Sequence, residues 1–278
     1  MHDWMEEMKP GQRVLDLGGG AGSLQSFVYP CLIVSIDCDG EAFANPFDSA
    51  STARVLGRGE QLPFAASTFD LVLCHHVLEH VEHLTSTLSE ISRVLKATGR
   101  LYVAVPNGYG LCDGIYRYVF HGGDHVNRFS KATLIAAVEG AIRVRLTGWQ
   151  KLYSSFAYLA RIKHIQKAIL PTLPTRLRLL YLVPKGVIFV LQTLLYMGTR
   201  LWDYIAGSSS ALYGWAFYFE RVEAVQTAAT EIRPYINVCL YCGSGHAATE
   251  LRTNLFRIYR CPNCDRLDPY FPPFGNAI

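Results

Sequence analysis

Apolar runs and polar breaks alternate along the first hundred residues. Short runs rich in Val, Ile and Leu predict buried strands at residues 13–18, 31–37, 69–77 and 99–107. Between the last two strands, five apolar residues recur at steps of three and four: Val81, Leu84, Leu88, Ile91 and Leu95. This spacing predicts an amphipathic helix that ends at Gly99. Strands that alternate with helices predict an α/β fold with a doubly wound parallel sheet.

Glycines follow the first predicted strand in a G-x-G-x-G pattern, at Gly18, Gly20 and Gly22. Glycine permits positive φ and a close approach of ligand to backbone, and open α/β sheets bind ligands at the carboxyl ends of their strands. Asp37 ends the second strand, where a carboxylate can accept hydrogen bonds from both hydroxyls of a ribose. Asp16 supplies another acid at the end of the first strand. The alternative to a ligand site is that the glycines only form a tight turn between strand and helix and that Asp37 caps the next helix.

The glycine spacing is not that of a dinucleotide-binding fold. That fingerprint is G-x-G-x-x-G, and it would need a glycine where this chain has Ser23.

Five blocks of the sequence resemble one family, the class I S-adenosylmethionine-dependent methyltransferases, which include enzymes of ubiquinone and menaquinone synthesis. The blocks span residues 10–150 and read VLDLGGGAG, IVSID, GRGEQLPFAASTFDLVLCHHVLEHV, ISRVLKATGRLYVAVPN and DHVNRFSKATL. The resemblance implies a seven-stranded, Rossmann-like sheet and methyl transfer from S-adenosylmethionine. The sequence departs from the family pattern at Arg58, where many members carry an acid, and in the short segment that precedes the first strand at Val14.

The resemblance also implies roles for single residues. The backbone from Gly18 to Gly22 would pass the methionine part of the cofactor, Asp16 would lie near its amino group, and Asp37 would hold the ribose. Four further positions complete the expected site, the first two near the adenine and the last two facing cofactor or substrate: Gly59, Glu60, Cys74 and His75.

Two histidines are candidates for proton transfer. The cofactor carries the reactivity in methyl transfer, so a base helps only if the acceptor must lose a proton. His76 lies at the end of the strand at residues 69–77, and His125 lies on the substrate side by the family resemblance. The alternative for His125 is that it fixes its own loop.

Charge is distributed unevenly along the chain. Residues 140–202 contain ten of the 26 Lys and Arg residues and no Asp or Glu, so the remaining 16 basic and 23 acidic residues give the rest a charge of −7. Apolar runs in this segment predict helices interrupted by Pro171, Pro174 and Pro184. A basic, aromatic, amphipathic segment suits a lid over the acceptor or contact with a membrane surface, and less readily nucleic acid. Only 14 residues separate Lys185 from Arg200, so a membrane span is not expected.

The C-terminal tail carries two C-x2-C pairs, formed by Cys239, Cys242, Cys261 and Cys264. This spacing is typical of a zinc ribbon, in which four thiolates close a tetrahedral structural site. The metal would supply much of the folding energy of so short a segment. The ribbon could serve a protein partner or a homodimer.

These patterns divide the chain into a core at residues 1–150, a helical cap insertion at 151–210, a last core strand with linker at 211–230, and a zinc ribbon at 231–278. Half of the residues are hydrophobic and 18% are charged, which fits a folded chain. The start lacks the features of a signal peptide, so we expect a cytoplasmic protein, peripheral at the inner membrane face. The expected function is methylation of a small-molecule or lipid-like acceptor. The alternatives are a non-catalytic cofactor-binding module that recruits a partner through the ribbon, and an RNA methyltransferase.

Overall fold

The structure is a computed structural model. It describes residues 2–20, 29–40, 52–119, 125–153, 185–222, 230–231, 236–238, 245–247, 258–262, 265 and 267–269. The chain divides into two compact units. The first comprises Met1–Pro106, Val126–Gln150 and Trp215–Arg233, and the second comprises Asn107–His125, Lys151–Gly214 and Pro234–Ile278. The domain boundaries given by the sequence patterns remain predictions.

A sheet forms the centre of the first unit. Seven of its strands are β1 Arg13–Leu17, β2 Leu32–Asp37, β3 Thr52–Leu56, β4 Phe69–His75, β5 Leu95–Pro106, β6 Val144–Tyr153 and β7 Gly214–Arg221. They are ordered β6-β7-β5-β4-β1-β2-β3, and the pairs from β5 to β3 are parallel. A short strand, β8 (Thr230–Glu231), pairs with β6. The predicted α/β, doubly wound, Rossmann-like fold is therefore confirmed.

Helices of the first unit cover apolar strands. They are α1 His2–Glu6, α2 Leu84–Val94 and α4 Lys131–Ala141, with α3 Leu111–Val119 belonging to the second unit. The central strands β1, β2 and β4 are mainly buried and apolar, as is typical of a parallel sheet that helices cover on both faces. Leu15 and Leu71 at its centre are fully buried. The sheet's polar carboxyl edge is consequently the place where side chains can meet a ligand.

The predicted end of α2 was wrong. The helix ends at Val94, and Leu95 pairs with Phe69 as the first residue of β5. Gly99 lies buried inside β5, where the register shifts between Phe69 and Leu71. Sheet pairing therefore ends the helix before its apolar period does.

The second unit contains one long helix, α5 (Lys185–Ala206), which begins directly after Pro184. It lies in the chain between β6 and β7, at the place predicted for the insertion. Strand β9 (Ile236–Val238) pairs with the last two residues of β6 and with β10 (Gly245–Ala247). In the tail, β11 (Ile258–Arg260) pairs with β12 (Leu267–Pro269). Within the described ranges, every helix is too short or too polar to cross a bilayer.

Candidate functional site

The glycine turn after β1 is fastened to the neighbouring strand. The amide nitrogens of Gly18 and Gly19 donate to the carbonyl oxygen of Ile36 at 2.8 and 3.2 Å. Gly18 and Gly20 have φ of 66° and 47°, in the left-handed region that side chains disfavour. The turn therefore needs glycine for its conformation.

Space also excludes side chains from this turn. A Cβ atom built on Gly19 would lie 1.9 Å from Ser35 Oγ and 2.8 Å from Asp16 Oδ2. One built on Gly18 would lie 2.5 Å from Val77 Cγ2. The bare backbone is thus packed directly on the ends of β1, β2 and β4. Gly22, the last glycine of the motif, lies outside the described residues.

Asp37 ends β2 beside this turn, as predicted. Its Oδ2 accepts a hydrogen bond from the amide nitrogen of Gly20 at 2.9 Å, and its Oδ1 accepts one from the amide nitrogen of Asp39 at 2.9 Å. Both oxygens are therefore held in place by backbone, and the half-buried carboxylate is oriented before any ligand arrives.

Asp16 lies beneath the turn and is 2% exposed. Burial raises the pKa of its carboxyl to about 7, and the negative charge of Asp37 adds to the rise. A carboxyl with this pKa binds a proton readily near neutrality, and a cationic group placed beside it would favour its ionised form. The site can therefore hold a positive charge at the end of β1.

The loop after β3 reaches the same edge of the sheet. The amide nitrogen of Gly57 donates to the carbonyl oxygen of Asp37 at 2.9 Å. A Cβ atom on Gly59 would lie 3.1 Å from Thr87 Cγ2 and 3.5 Å from Leu17 Cδ1. Glu60 is partly exposed beside it. The structure thus brings Gly59 to the end of the sheet that carries Asp37.

Cys74 and His75 lie at the end of β4 and differ in exposure. Cys74 is completely buried, and burial, with the charges of Asp16 and Glu79, raises the pKa of its thiol far above the usual range. The thiol therefore stays protonated and is a poor nucleophile. The half-buried ring of His75 lies 4.6 Å from the ring of His76 and 6.4 Å from that of Tyr102, between centroids.

His76 directly follows β4 and has a left-handed conformation, with φ of 58°. Strain of this kind in a residue with a side chain persists only where surrounding contacts enforce it, and it is found at functional sites. Here its Nδ1 lies 3.2 Å from Oε1 of Glu79, a carboxylate that is 1% exposed. Among the described residues, Oε2 of Glu79 has no hydrogen-bond partner.

Glu79 was not predicted from the sequence. Its signal was an acid one turn beyond the end of an apolar strand, but the same residue also fitted the polar start of the predicted helix. Because Glu79 contacts its imidazole, His76 is a candidate for proton transfer at the carboxyl edge of the sheet.

His125 belongs to the second unit. Its Nδ1 lies 2.7 Å from Oδ1 of the buried Asp113, and Arg117 binds the other oxygen of that carboxylate at 2.6 Å. Burial raises the pKa of the Asp113 carboxyl, but the hydrogen bonds from His125 and Arg117 outweigh it and bring the pKa below the usual value. The guanidinium of Arg117 also donates to the carbonyl oxygen of His125. His125 is therefore both oriented by a carboxylate and fixed in its loop.

The segment that carries the glycine turn and Asp37 is similar in sequence to known proteins. Residues 15–103 match the methyltransferase domain family. The match begins in β1 and ends in β5, so it includes the glycine turn, Asp37 and the His76–Glu79 pair.

Relatives of this segment include two named quinone methyltransferases. A demethylmenaquinone methyltransferase of Corynebacterium glutamicum is 32% identical over 99 residues, which cover 35% of this chain and 43% of the relative. A ubiquinone/menaquinone biosynthesis C-methyltransferase of Cereibacter sphaeroides is 33% identical over 115 residues, which cover 37% and 45%. The chain thus spans less than half the length of these relatives.

The fold has a counterpart among solved structures. A candidate methyltransferase of Bacillus halodurans is 18% identical, with a TM-score of 0.50, and the likeness covers 79% of this chain and 96% of that one. The likeness extends the shared fold well beyond the matched segment.

Proposed function

We propose that the chain transfers a methyl group from S-adenosylmethionine to a small-molecule or lipid-like acceptor. The observation that carries the proposal is the glycine turn, which leaves no room for side chains beside an oriented Asp37 carboxylate at the ends of parallel strands. The match of residues 15–103 to the methyltransferase domain supports it. Acceptors of the quinone type are the first to test, because two relatives bear such names.

The residues of the first unit fit the cofactor in chemistry. Asp37 would accept the ribose hydroxyls, and Asp16 would face the cationic amino group, which a buried acid with a pKa of about 7 can neutralise. The loop around Gly59 and Glu60 would border the adenine. When bound, the cofactor supplies an activated methyl group, and the protein's task is to align the acceptor and exclude water.

Proton removal is assigned to His76 or His125. In each case a carboxylate lies at Nδ1, Glu79 for His76 and Asp113 for His125, so that the other ring nitrogen can accept a proton. An acceptor that loses a proton would need one of them; an acceptor that is already nucleophilic would need neither.

The decisive experiment is calorimetric titration with S-adenosylmethionine. We expect one-to-one binding by the unaltered chain and at least about a tenfold loss of affinity in Asp37→Ala, because charged hydrogen bonds contribute roughly 1.5–3 kcal/mol each. Asp39→Ala is the matched control, because Asp39 reaches Asp37 through its backbone amide, which that substitution keeps. Equal affinity in all three proteins would remove the ribose assignment. Binding without transfer to quinone-type acceptors or RNA would favour the non-catalytic module.

We further propose that the tail binds one structural zinc ion through Cys239, Cys242, Cys261 and Cys264. The contact that supports a metal here is between two buried side chains: His246 Nε2 lies 3.3 Å from Cys261 Sγ. Two donors of one tetrahedral zinc ion are separated by roughly this distance, given bonds of about 2.0–2.3 Å, so His246 is an alternative donor to one of the four cysteines. Cys239, Cys242 and Cys264 lie outside the described residues. A role for the ribbon in binding a partner or a second copy stays a prediction, as does the cytoplasmic location.

Metal content tests the zinc proposal. Cys261→Ser should lose about one equivalent of zinc, whereas Cys38→Ser, which alters an exposed lone thiol, should lose none. Substitution with cobalt then identifies the donors, since thiolate-to-cobalt absorption grows with the number of thiolates. An unchanged cobalt spectrum in His246→Ala would leave the four cysteines as ligands, and full zinc retention in Cys261→Ser would contradict the site.

A further inference from the structure

Helix α5 turns an apolar surface toward solvent. Eight apolar side chains, which are 45% to 70% exposed, lie along one side of the helix. They are spaced by three and four residues from Val187 to Leu195 and again from Leu201 to Ile205, with Gly198 between the two groups. We call them the α5 stripe: Val187, Val190, Leu191, Leu194, Leu195, Leu201, Trp202 and Ile205. Single exposed apolar residues are common, but a row of this kind marks an interaction surface.

Two charged side chains of α5, those of Arg200 and Asp203, lie on its other side. Arg200 is 5% exposed, and Asp203 accepts hydrogen bonds from the amide nitrogens of Ser210 and Ala211 at 2.8 and 2.6 Å. Lys185 stands at the first residue of the helix. The usual arrangement of a surface helix, apolar inward and charged outward, is therefore reversed in the C-terminal half of α5.

The length of α5 suits contact with a broad surface. The helix has 22 residues, which corresponds to about 33 Å at 1.5 Å per residue. It does not have the apolarity of a membrane-spanning helix. A helix of this kind can lie in the plane of a membrane surface with its apolar side among the acyl chains.

The charge around α5 in the sequence favours an anionic surface. Residues 140–202 contain ten Lys or Arg residues and no Asp or Glu, although the rest of the chain has an excess of acid. Basic residues near an anionic leaflet are attracted to it. Trp202, near the end of the helix, belongs to the residue types that prefer the membrane–water interface.

We propose that the α5 stripe is the docking face for an anionic lipid surface. The helix lies along the surface, its leucines enter the acyl layer, and the net positive charge of residues 140–202 attracts the anionic head groups. This proposal is independent of methyl transfer, because it concerns the second unit and is tested without cofactor or acceptor.

Vesicle co-sedimentation tests it. We would titrate the full zinc-loaded chain with vesicles of phosphatidylcholine that contain increasing phosphatidylglycerol. Binding should rise with the anionic fraction and fall several-fold between low and high salt. Leu191→Ser/Leu194→Ser should weaken binding by roughly tenfold or more, because two leucines that are 60% and 61% exposed lose their transfer into the acyl layer.

The matched control is Leu32→Ser/Leu56→Ser. It replaces two leucines that are 44% and 65% exposed in the first unit, so it changes surface apolarity by a similar amount without altering α5. It should bind vesicles as the unaltered chain does. Circular dichroism and thermal unfolding would verify that both double variants fold.

Three outcomes would overturn the proposal. The unaltered chain could fail to bind at any anionic fraction, or both double variants could lose binding equally. The chain could also self-associate in sedimentation, dissociate on Leu191→Ser/Leu194→Ser and show no vesicle binding, which would assign the stripe to a second copy. Selective loss in the α5 variant, with a salt-sensitive unaltered chain, would establish the lipid surface.

Discussion

Gly19→Ala offers a test of the glycine turn that depends on space alone. Gly19 has no left-handed φ, unlike Gly18 and Gly20, so alanine meets no conformational barrier there. Its Cβ atom, however, would lie 1.9 Å from Ser35 Oγ and 2.8 Å from Asp16 Oδ2. Any effect of the substitution must therefore come from these contacts.

The size of the effect follows from the burial of the two neighbours. A carbon and an oxygen need at least 3.0 Å, so Ser35 or the turn must shift by more than 1 Å. Ser35 is 6% and Asp16 is 2% exposed, so neither can retreat into solvent. Overpacking of this kind costs about 1–3 kcal/mol. The smaller entropy of the unfolded alanine chain offsets roughly 0.4–1 kcal/mol of it.

Thermal and urea unfolding, with S-adenosylmethionine titration alongside, would measure both consequences. We expect a net loss of about 1–2 kcal/mol and cofactor binding weakened at least about tenfold as the turn shifts. Gly140→Ala is the matched control, because Gly140 lies in α4 with no heavy atom within 4 Å of the added carbon. That substitution should stabilise the chain by about 0.5–1 kcal/mol.

A second change identifies the cause. Ser35→Ala removes the oxygen at 1.9 Å, so Gly19→Ala should cost less in a Ser35→Ala background than in the unaltered chain. The reasoning is refuted if Gly19→Ala is as stable as Gly140→Ala, or if Ser35→Ala recovers nothing.

Three further predictions concern single residues. Burial raises the pKa of Asp16 to about 7, so its ionised carboxyl lowers the stability of the fold progressively from about pH 4 to pH 7. In urea unfolding, Asp16→Asn should be as stable as the unaltered chain at pH 4 and more stable by roughly 2–4 kcal/mol at pH 8. A stability difference that does not change with pH would contradict this. His76→Gly should be about 1 kcal/mol more stable than His76→Ala, because only glycine adopts φ of 58° without strain, and equal stabilities would mean that the strain is negligible. Ser130 caps α4 in a reciprocal pair with Thr133, so Ser130→Ala should cost about 1 kcal/mol and Ser130→Asn much less, as equilibrium unfolding would report.

The sequence predicts the strands of the sheet well because they are buried on both faces. Continuous apolar runs located β1, β2, β4 and β5 within a few residues, whereas β7 was expected within residues 211–230 from the family resemblance. The short strand β3 was not identified, since Thr52–Leu56 includes Thr and Arg and carries no continuous apolar run.

Tertiary contacts decided what the sequence left open. Leu95 continued the helical period of α2, yet Phe69 pairs with it in the sheet, and the amide nitrogen of Thr68 donates to the carbonyl oxygen of Val94 at 2.8 Å. In the candidate site, the glycines and Asp37 were recognisable from local spacing. The partnership of His76 with Glu79 was not, because it depends on a left-handed residue that no neighbouring glycine or proline announced.

The two backbone hydrogen bonds to Asp37 set the capacity of that carboxylate. Its two oxygens offer about four lone pairs, and the amides of Gly20 and Asp39 each use one, on opposite oxygens. One lone pair then remains on each oxygen, which is the number that two neighbouring hydroxyls of a sugar require. A deoxyribose ligand would leave one of these acceptors unfilled. The number of hydrogen bonds that this one side chain can accept would therefore distinguish ribose from deoxyribose before any contact with a base.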